Sequence, residues 1–366
     1  MPELTPIQYY RAQERKGRFK NAGFALRIFF ICLFLLLPII FSSFKIVDLA
    51  VKIAIFATLA ASFDVLLGYT GILSFGHGMF FGIGAYCVAF LMGKYGSPSY
   101  ANLILGLCLA AAISMVLAFL ISFLSLRVRA IFFAMITLAI AELAIILATK
   151  LSGFTGGEDG ISMSMPGVLS VAFRGGEFLG IKITGRMLCY YLILFSCMGL
   201  FMLMLRFIHS PLGRVLQAIR DNSQRAEALG YKVFYYESMS ITFGCIMAAL
   251  AGGLYAVWVG YVNPESSLGV MTIMLDVLLM VIIGGMGTLY GGIIGAAFLK
   301  ITQTFLPDLQ DMARNAFPNA DLLHQVLERW LLLFGVLFIL VVIFFPKGVM
   351  GTVRERMSKP HAGRSR

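Results

Sequence analysis

Charge is scarce in this chain. Only 13% of its 366 residues are Asp, Glu, Lys or Arg, about half the share of an ordinary soluble domain. A soluble protein so poor in charge could not cover its core with polar surface, which excludes the two or three soluble domains that the length alone allows. Paired cysteines are missing too. Cys32, Cys87, Cys108, Cys189, Cys197 and Cys245 all lie inside apolar runs, and none forms a Cys-x-x-Cys pair. Buried cysteine behaves as a small hydrophobe, which argues against a disulfide framework or a metal site. His77, His209, His324 and His361 are scattered, with no His-x-x-x-His spacing. A phosphate loop, Gly-x-x-x-x-Gly-Lys followed by Ser or Thr, is absent: the Gly93-Lys94 pair is followed by Tyr95. ATP binding by that route is excluded, so no cofactor is expected in this chain and any ATP-driven motor must be another polypeptide. No serine-protease-like or paired-carboxylate constellation gathers at one depth, so a membrane enzyme fits poorly.

What fills the chain is apolar. Hydrophobic residues make up 60% of it and the mean hydropathy is +0.90, so lipid must be the solvent. A spanning helix needs roughly 20 mostly apolar residues, and the runs predict an all-α polytopic membrane protein of about ten transmembrane helices. They fall at 24–44, 46–67, 75–93, 100–124, 130–149, 187–208, 238–260, 268–286, 289–306 and 330–346. The third is short and rich in Gly, a candidate for a broken or re-entrant helix. The first follows a basic tail as a signal peptide does, but Phe24–Phe44 is long enough to span and no small-residue cleavage site follows it, so it is expected to be retained.

Orientation follows from the basic residues. The segments 1–23, 68–74, 125–129, 206–237, 287–288 and 347–366 carry 18 Lys or Arg: five in the first, two at 125–129, five at 206–237 and six in the last. The opposite loops hold far fewer. The expected organisation is a cytoplasmic tail over 1–23, a transmembrane domain over 24–346 and a cytoplasmic tail over 347–366. Outer loops lie at 150–186 and 307–329, with a cytoplasmic segment at 206–237. The net charge of +11 is accounted for by this topology. Nucleic-acid binding is not expected, because no basic face with interleaved aromatics exists to carry it.

Four segments carry candidate mechanism. In Ser210–Gly230, Leu212, Val215, Leu216 and Ile219 recur at helical spacing while Arg214, Gln217 and Arg220 populate another face, and Gly230 is a helix stop. An amphipathic helix on the inner leaflet is one reading. Asp221, Asn222 and Glu227 on the polar face suit a protein partner better than anionic lipid. In Gly68–Tyr86, glycine recurs at 68, 71, 76, 78, 82 and 84. Irregular backbone at membrane depth survives only where protein buries it or water fills a cavity, so this segment either packs closely against a helix or lines a pathway. Asp64, just before it, is either a functional carboxylate or an interfacial one, hydrated or paired; Asp276 and Glu142 pose the same question. The remaining two are the outer Thr155–Ile161 stretch and the small-residue run Gly284–Ala297, expected to turn tightly between two closely packed helices.

Together Gly68–Tyr86, Thr155–Ile161, Gly213–Gly230 and Gly284–Thr288 resemble the signature regions of the inner-membrane permeases of bacterial high-affinity branched-chain amino acid ABC importers. The likeness is closer to the longer of that system's two permease types, and it runs from about residue 45 to 350 with the motifs in order. The resemblance implies a multi-pass protein of the bacterial inner membrane with both termini cytoplasmic. Its implied partners are a sister permease, two cytoplasmic ATPase subunits that bind the ATP, and a periplasmic substrate-binding protein. Arg214, Arg220, Glu227, Ala228 and Gly230 then belong to a coupling helix that grips an ATPase. Asp64, Gly71, Ser74, His77 and Gly82 are candidates for the translocation path, and Gly156, Gly157 and Asp159 for contact with the binding protein. The chain departs at Asp64 from the amide expected in many relatives. Because the same family also transports urea, short amides and other small acids, a urea or short-amide permease stands beside a permease for branched-chain or other small hydrophobic amino acids. A stand-alone channel or secondary carrier is the reading from another class, against which the coupling-type loop and the lack of an ionisable relay weigh.

Overall fold

The computed structural model describes residues 34, 36–38, 43–94, 98–125, 130–170, 173–178, 181–316 and 330–352. Most of the expected first span, both terminal tails and much of the 307–329 loop lie outside these residues. Within them, six helices are long and apolar enough to cross a membrane: Phe44–Thr70, Tyr100–Leu124, Ile131–Lys150, Gly185–His209, Val233–Val259 and Leu289–Asp308. Three shorter apolar helices, His77–Gly93, Val270–Gly284 and Phe338–Thr352, accompany them. Helix is what hydrocarbon demands of such runs, because every backbone N–H and C=O must find its partner within the segment.

The elements run α1 (Phe44–Asp64), α2 (His77–Ala89), α3 (Tyr100–Ser125), α4 (Ala130–Lys150), α5 (Gly185–His209), α6 (Pro211–Asp221), α7 (Ser223–Ala228), α8 (Val233–Val259), α9 (Leu275–Gly284), α10 (Leu289–Ala316) and α11 (Trp330–Phe344). Helix α1 is the centre of the bundle: from Val51 to Leu66 nearly every side chain is buried. Helix α8 packs on α1, α2 and α3, while α10 packs on α1 and α9. The α2–α8 crossing is close because glycine stands on both sides. A Cβ at Gly84 would overlap the Ala249 backbone, and one at Gly252 would overlap the Phe81 backbone. By contrast α3 and α4 turn large apolar side chains outward, among them Ile104, Val116, Phe119, Ile131 and Met135. Such a surface is stable only against lipid or a partner.

The loops sort to two ends. At one end Arg220 meets Gly68 and Gly285 meets Gly348, all residues expected inside. At the other, Ile161 pairs with Val262, Lys45 with Asp308 and Trp258 with Asp48; the first four lie in loops expected outside, Trp258 and Asp48 at the ends of expected spans.

The all-α expectation holds for the described residues, which are helical almost throughout. Two short antiparallel ribbons tie the loops: β1 (Ile161–Ser162) pairs with β4 (Tyr261–Val262), and β2 (Arg174–Phe178) with β3 (Ile181–Thr184). They lie in loops between helices, where helix is not compulsory. One expectation needs correction: the third span is not broken. His77–Gly93 is one continuous apolar helix whose last turn is a π turn, Phe90–Lys94, and Gly93 arrives beside Ile161 and Ser162 at the outer end. The irregular backbone falls before it, in the π turn Val65–Thr70 that closes α1.

Candidate coupling and translocation sites

After α5 the chain folds into two short helices. Pro211 opens α6 at a position whose N–H would have no helical partner, and the Ser210 hydroxyl accepts from the Gly213 N–H at 3.3 Å. Gly213, Leu216 and Ile219 face inward, leaving Arg214 and Gln217 outside. Asn222 turns the chain and caps α7, its Oδ1 accepting from the Arg225 N–H at 2.9 Å. Gly230, with φ 90°, ends the unit. Ala226 is buried, but Glu227 and Ala228 are exposed. Leu229 is 73% exposed, and Tyr231 and Tyr235 stand free of the core beside it. This tip mixes apolar and charged groups as a protein-binding surface does. The sequence pattern located the unit, Leu229 included in its small apolar patch; it did not single out Tyr231 or Tyr235, because apolar residues beside an amphipathic helix read equally well as core.

Arg220 turns back to the bundle. Its guanidinium donates to the Gly68 carbonyl in the π turn, while its aliphatic stem lies over Gly71. Gly71 has φ 80° and Gly287 φ 77°, the left-handed region in which glycine carries no steric penalty. Asp64, 1% exposed, accepts from the Gly287 N–H through Oδ1 at 2.7 Å. Thr70, at the end of the same π turn, shares a 2.8 Å hydrogen bond with Ser240 of α8. The α6 helix, the end of α1, the α9–α10 turn and the start of α8 thus meet in one joint. Asp64 is buried, and a backbone donor holds it. Asp276 pairs with Lys300 at 2.8 Å, and Glu142 is exposed.

The other candidate path residues are enclosed by the chain. Ser74 and His77 are buried. The His77 Nε2 lies 2.9 Å from the Ser62 Oγ, and its ring centroid is 5.4 Å from that of Phe63. A Cβ at Gly82 would run into the Leu268 side chain and the Ser267 carbonyl. The structure thus brings Asp64 and Gly71 together with Arg220 at this joint, buries Ser74 in the loop before α2, and packs His77 and Gly82 between helices. At the outer end, Gly156, Gly157 and Gly160 all have positive φ. The Asp159 carbonyl accepts from the Tyr261 hydroxyl at 2.9 Å, and the Thr155 hydroxyl donates to the Leu151 carbonyl at 2.9 Å. The result is a knotted loop with Glu158 and Asp159 exposed and Gly157 buried.

Comparison with known proteins agrees with this architecture. The family model for the permease component of the branched-chain amino acid transport system matches residues 45–342. The high-affinity branched-chain amino acid transport system permease protein LivM of Escherichia coli (strain K12) is 30% identical over 327 residues, covering 85% of this chain and 71% of that protein. LivM of Salmonella typhimurium is 29% identical over 326 residues with the same coverage. LivH, the permease protein of the same name class from Salmonella typhimurium, is 23% identical over 303 residues, 81% of this chain and 91% of its own. No solved structure matches. The chain belongs to the family of branched-chain amino acid transport system permease components.

Proposed function

We propose that this chain is the membrane-spanning subunit of an ATP-driven importer for branched-chain or other small hydrophobic amino acids. It forms the path with a sister permease, receives substrate from a periplasmic binding protein at the Gly156–Asp159 loop, and is driven by two separate ATPase subunits. The reading includes about ten spans in a bacterial inner membrane, both termini cytoplasmic. The observation that carries it is the exposed α6–α7 tip joined through Arg220 and Asp64 to the ends of α1, α9 and α10. A partner that pushes on Arg214, Glu227, Ala228 or the chain at Gly230 moves a helix pair tied directly to the bundle. Asp64, the residue that raised urea and short amides as alternatives, is engaged with backbone in that joint, which supports a structural role for it and favours the amino acid reading.

Uptake by the complete complex in proteoliposomes tests the proposal. Radiolabelled leucine is expected to accumulate only with ATP and binding protein present; accumulation of urea but not leucine contradicts the substrate class. Sidedness has its own test. A single cysteine at position 158 in a cysteine-free chain is expected to react with an impermeant reagent from the periplasmic side, and labelling only from the cytoplasm contradicts the topology. The joint makes a third prediction. Arg220→Ala removes a charge-assisted hydrogen bond of about 1.5–3 kcal/mol, so transport is expected to fall about tenfold or more while the ATPase subunits still copurify. Parental uptake by that variant removes Arg220 from the coupling path.

A further inference from the structure

One side of the bundle carries a row of ion pairs. Three ion pairs descend from the outer end. Lys45 bonds Asp308 at the mouth, with side chains 44% and 50% exposed. Next come Lys52 and Asp48, 2.8 Å apart and 37% and 24% exposed. Deepest are Lys300 and Asp276, also 2.8 Å apart, only 11% and 16% exposed. Lys300 precedes Asp308 by eight residues on α10, a descent of about 12 Å along the helix. Lys52 stands four residues before Phe56 on α1, and the Lys300 ammonium lies over the Phe56 ring. The face is a product of spacing: 45, 48 and 52 are one side of α1, and 300, 303 and 308 run down α10.

The groups beside this stair are of two kinds. Gln303 donates to both Asp276 oxygens at 3.1 and 3.2 Å, and the Trp258 indole N–H donates to Asp48 at 2.8 Å. Between the pairs stands an aromatic wall. The Lys300 ammonium lies 3.8 Å from the Phe56 ring centroid. Phe56 is 6.0 Å from Tyr255 of α8 and 5.9 Å from Phe81 of α2. An intramembrane charge costs several kcal/mol unless paired, and such groups gather where a polar solute passes. Three pairs of graded exposure, reaching inward from the outer mouth, suit a solute that enters.

We propose that the Asp48–Lys52 and Asp276–Lys300 pairs, with Phe56 and Tyr255, form a site on the outer half of this chain for a zwitterion with an apolar side chain. The inference rests on the importer reading above and identifies where that importer's substrate is held. An α-ammonium group exchanges places with a lysine on either carboxylate, an α-carboxylate exchanges with an aspartate on either ammonium, and the side chain lies against the rings. Because each exchange replaces one ion pair by another, entry does not strand a buried charge, the condition under which breaking a pair is costly. An uncharged amide offers no such exchange.

The test is uptake by the whole complex in proteoliposomes at subsaturating radiolabelled leucine, with two double variants that remove both charges of a pair, Asp48→Asn/Lys52→Met and Asp276→Asn/Lys300→Met. A purely structural pair tolerates joint neutralisation. A zwitterion site does not: each variant is expected to lose about tenfold or more of its uptake and to raise the KM for leucine, while assembly and basal ATP hydrolysis persist. Parental leucine uptake by both variants overturns the site and leaves the importer reading intact. A parental complex that accumulates urea but no leucine overturns both. Should the deeper variant fail to assemble, the more open Asp48→Asn/Lys52→Met pair decides the matter alone.

Discussion

Glu227→Lys is expected to abolish uptake while the chain stays inserted and bound to its sister permease. Glu227 is exposed on α7, with Ala226 buried on one side and Leu229, 73% exposed, on the other, so a charge reversal disturbs no packing within this chain. Its fold is held instead by the Asn222 cap and by Leu216 and Ile219 beneath α6. The effect is therefore read at a partner. Truncating a buried interfacial charge pair costs about 2–5 kcal/mol, enough to lower occupancy of the docked state thirtyfold or more, and reversal adds repulsion. Leu229→Asp probes the apolar half of the same tip and is expected to release the ATPase subunits by desolvation cost. Uptake and copurification measured together check both variants. Normal transport by either removes the α6–α7 tip from coupling.

Gly252→Val is expected to destroy the assembled bundle. Any Cβ at this position overlaps the Phe81 carbonyl across the α2–α8 crossing, and Gly84 faces Ala249 in the reciprocal way. Backbone cannot withdraw as a flexible side chain can, so the helices must part. Overpacking costs about 1–3 kcal/mol where a core relaxes and more where it cannot. Yield of folded protein in detergent and its melting temperature are expected to collapse, whereas Gly199→Ala, with open space around it, is expected to leave both unchanged. A Gly252→Val protein that melts at the parental temperature contradicts the crossing. Gly82→Ala belongs with the packing variants for the same reason, its neighbours being Leu268 and the Ser267 carbonyl.

The helices and the α6–α7 unit were legible in the sequence because their causes are local. Apolar length marks a span, and the Leu212, Val215, Leu216 and Ile219 spacing marks an amphipathic turn of chain. Both the Ser210 cap and the Gly230 stop stand in the structure where those residues stand in the sequence. What could not be read there is partnership across distance. Arg220 reads in the sequence as a candidate coupling residue on the polar face; its bond to the Gly68 carbonyl, 152 residues away, is not written there. The donor that holds Asp64, the Gly287 N–H, belongs to a turn 223 residues on. The same holds for the glycines of 68–86, since a run of small residues reads alike whether it lines water or accepts a neighbouring backbone. Lys300 stands within an apolar run, and nothing in the sequence pairs it with Asp276 on another helix. The ribbons at 161–162 and 261–262 form from two loops that no local pattern connects.

The central claim is that this chain transports only when driven by separate ATPase subunits docked on α6 and α7. A tagged chain, coexpressed with its sister permease, the ATPase subunits and the binding protein, provides the most direct measurement. Purified in mild detergent and reconstituted, the parental complex is expected to retain a pair of ATPase subunits and to couple leucine uptake to ATP hydrolysis. The Leu229→Asp complex is expected to keep the sister permease and lose the ATPases and the uptake together. Leucine flux through vesicles that contain this chain without any ATPase contradicts the account.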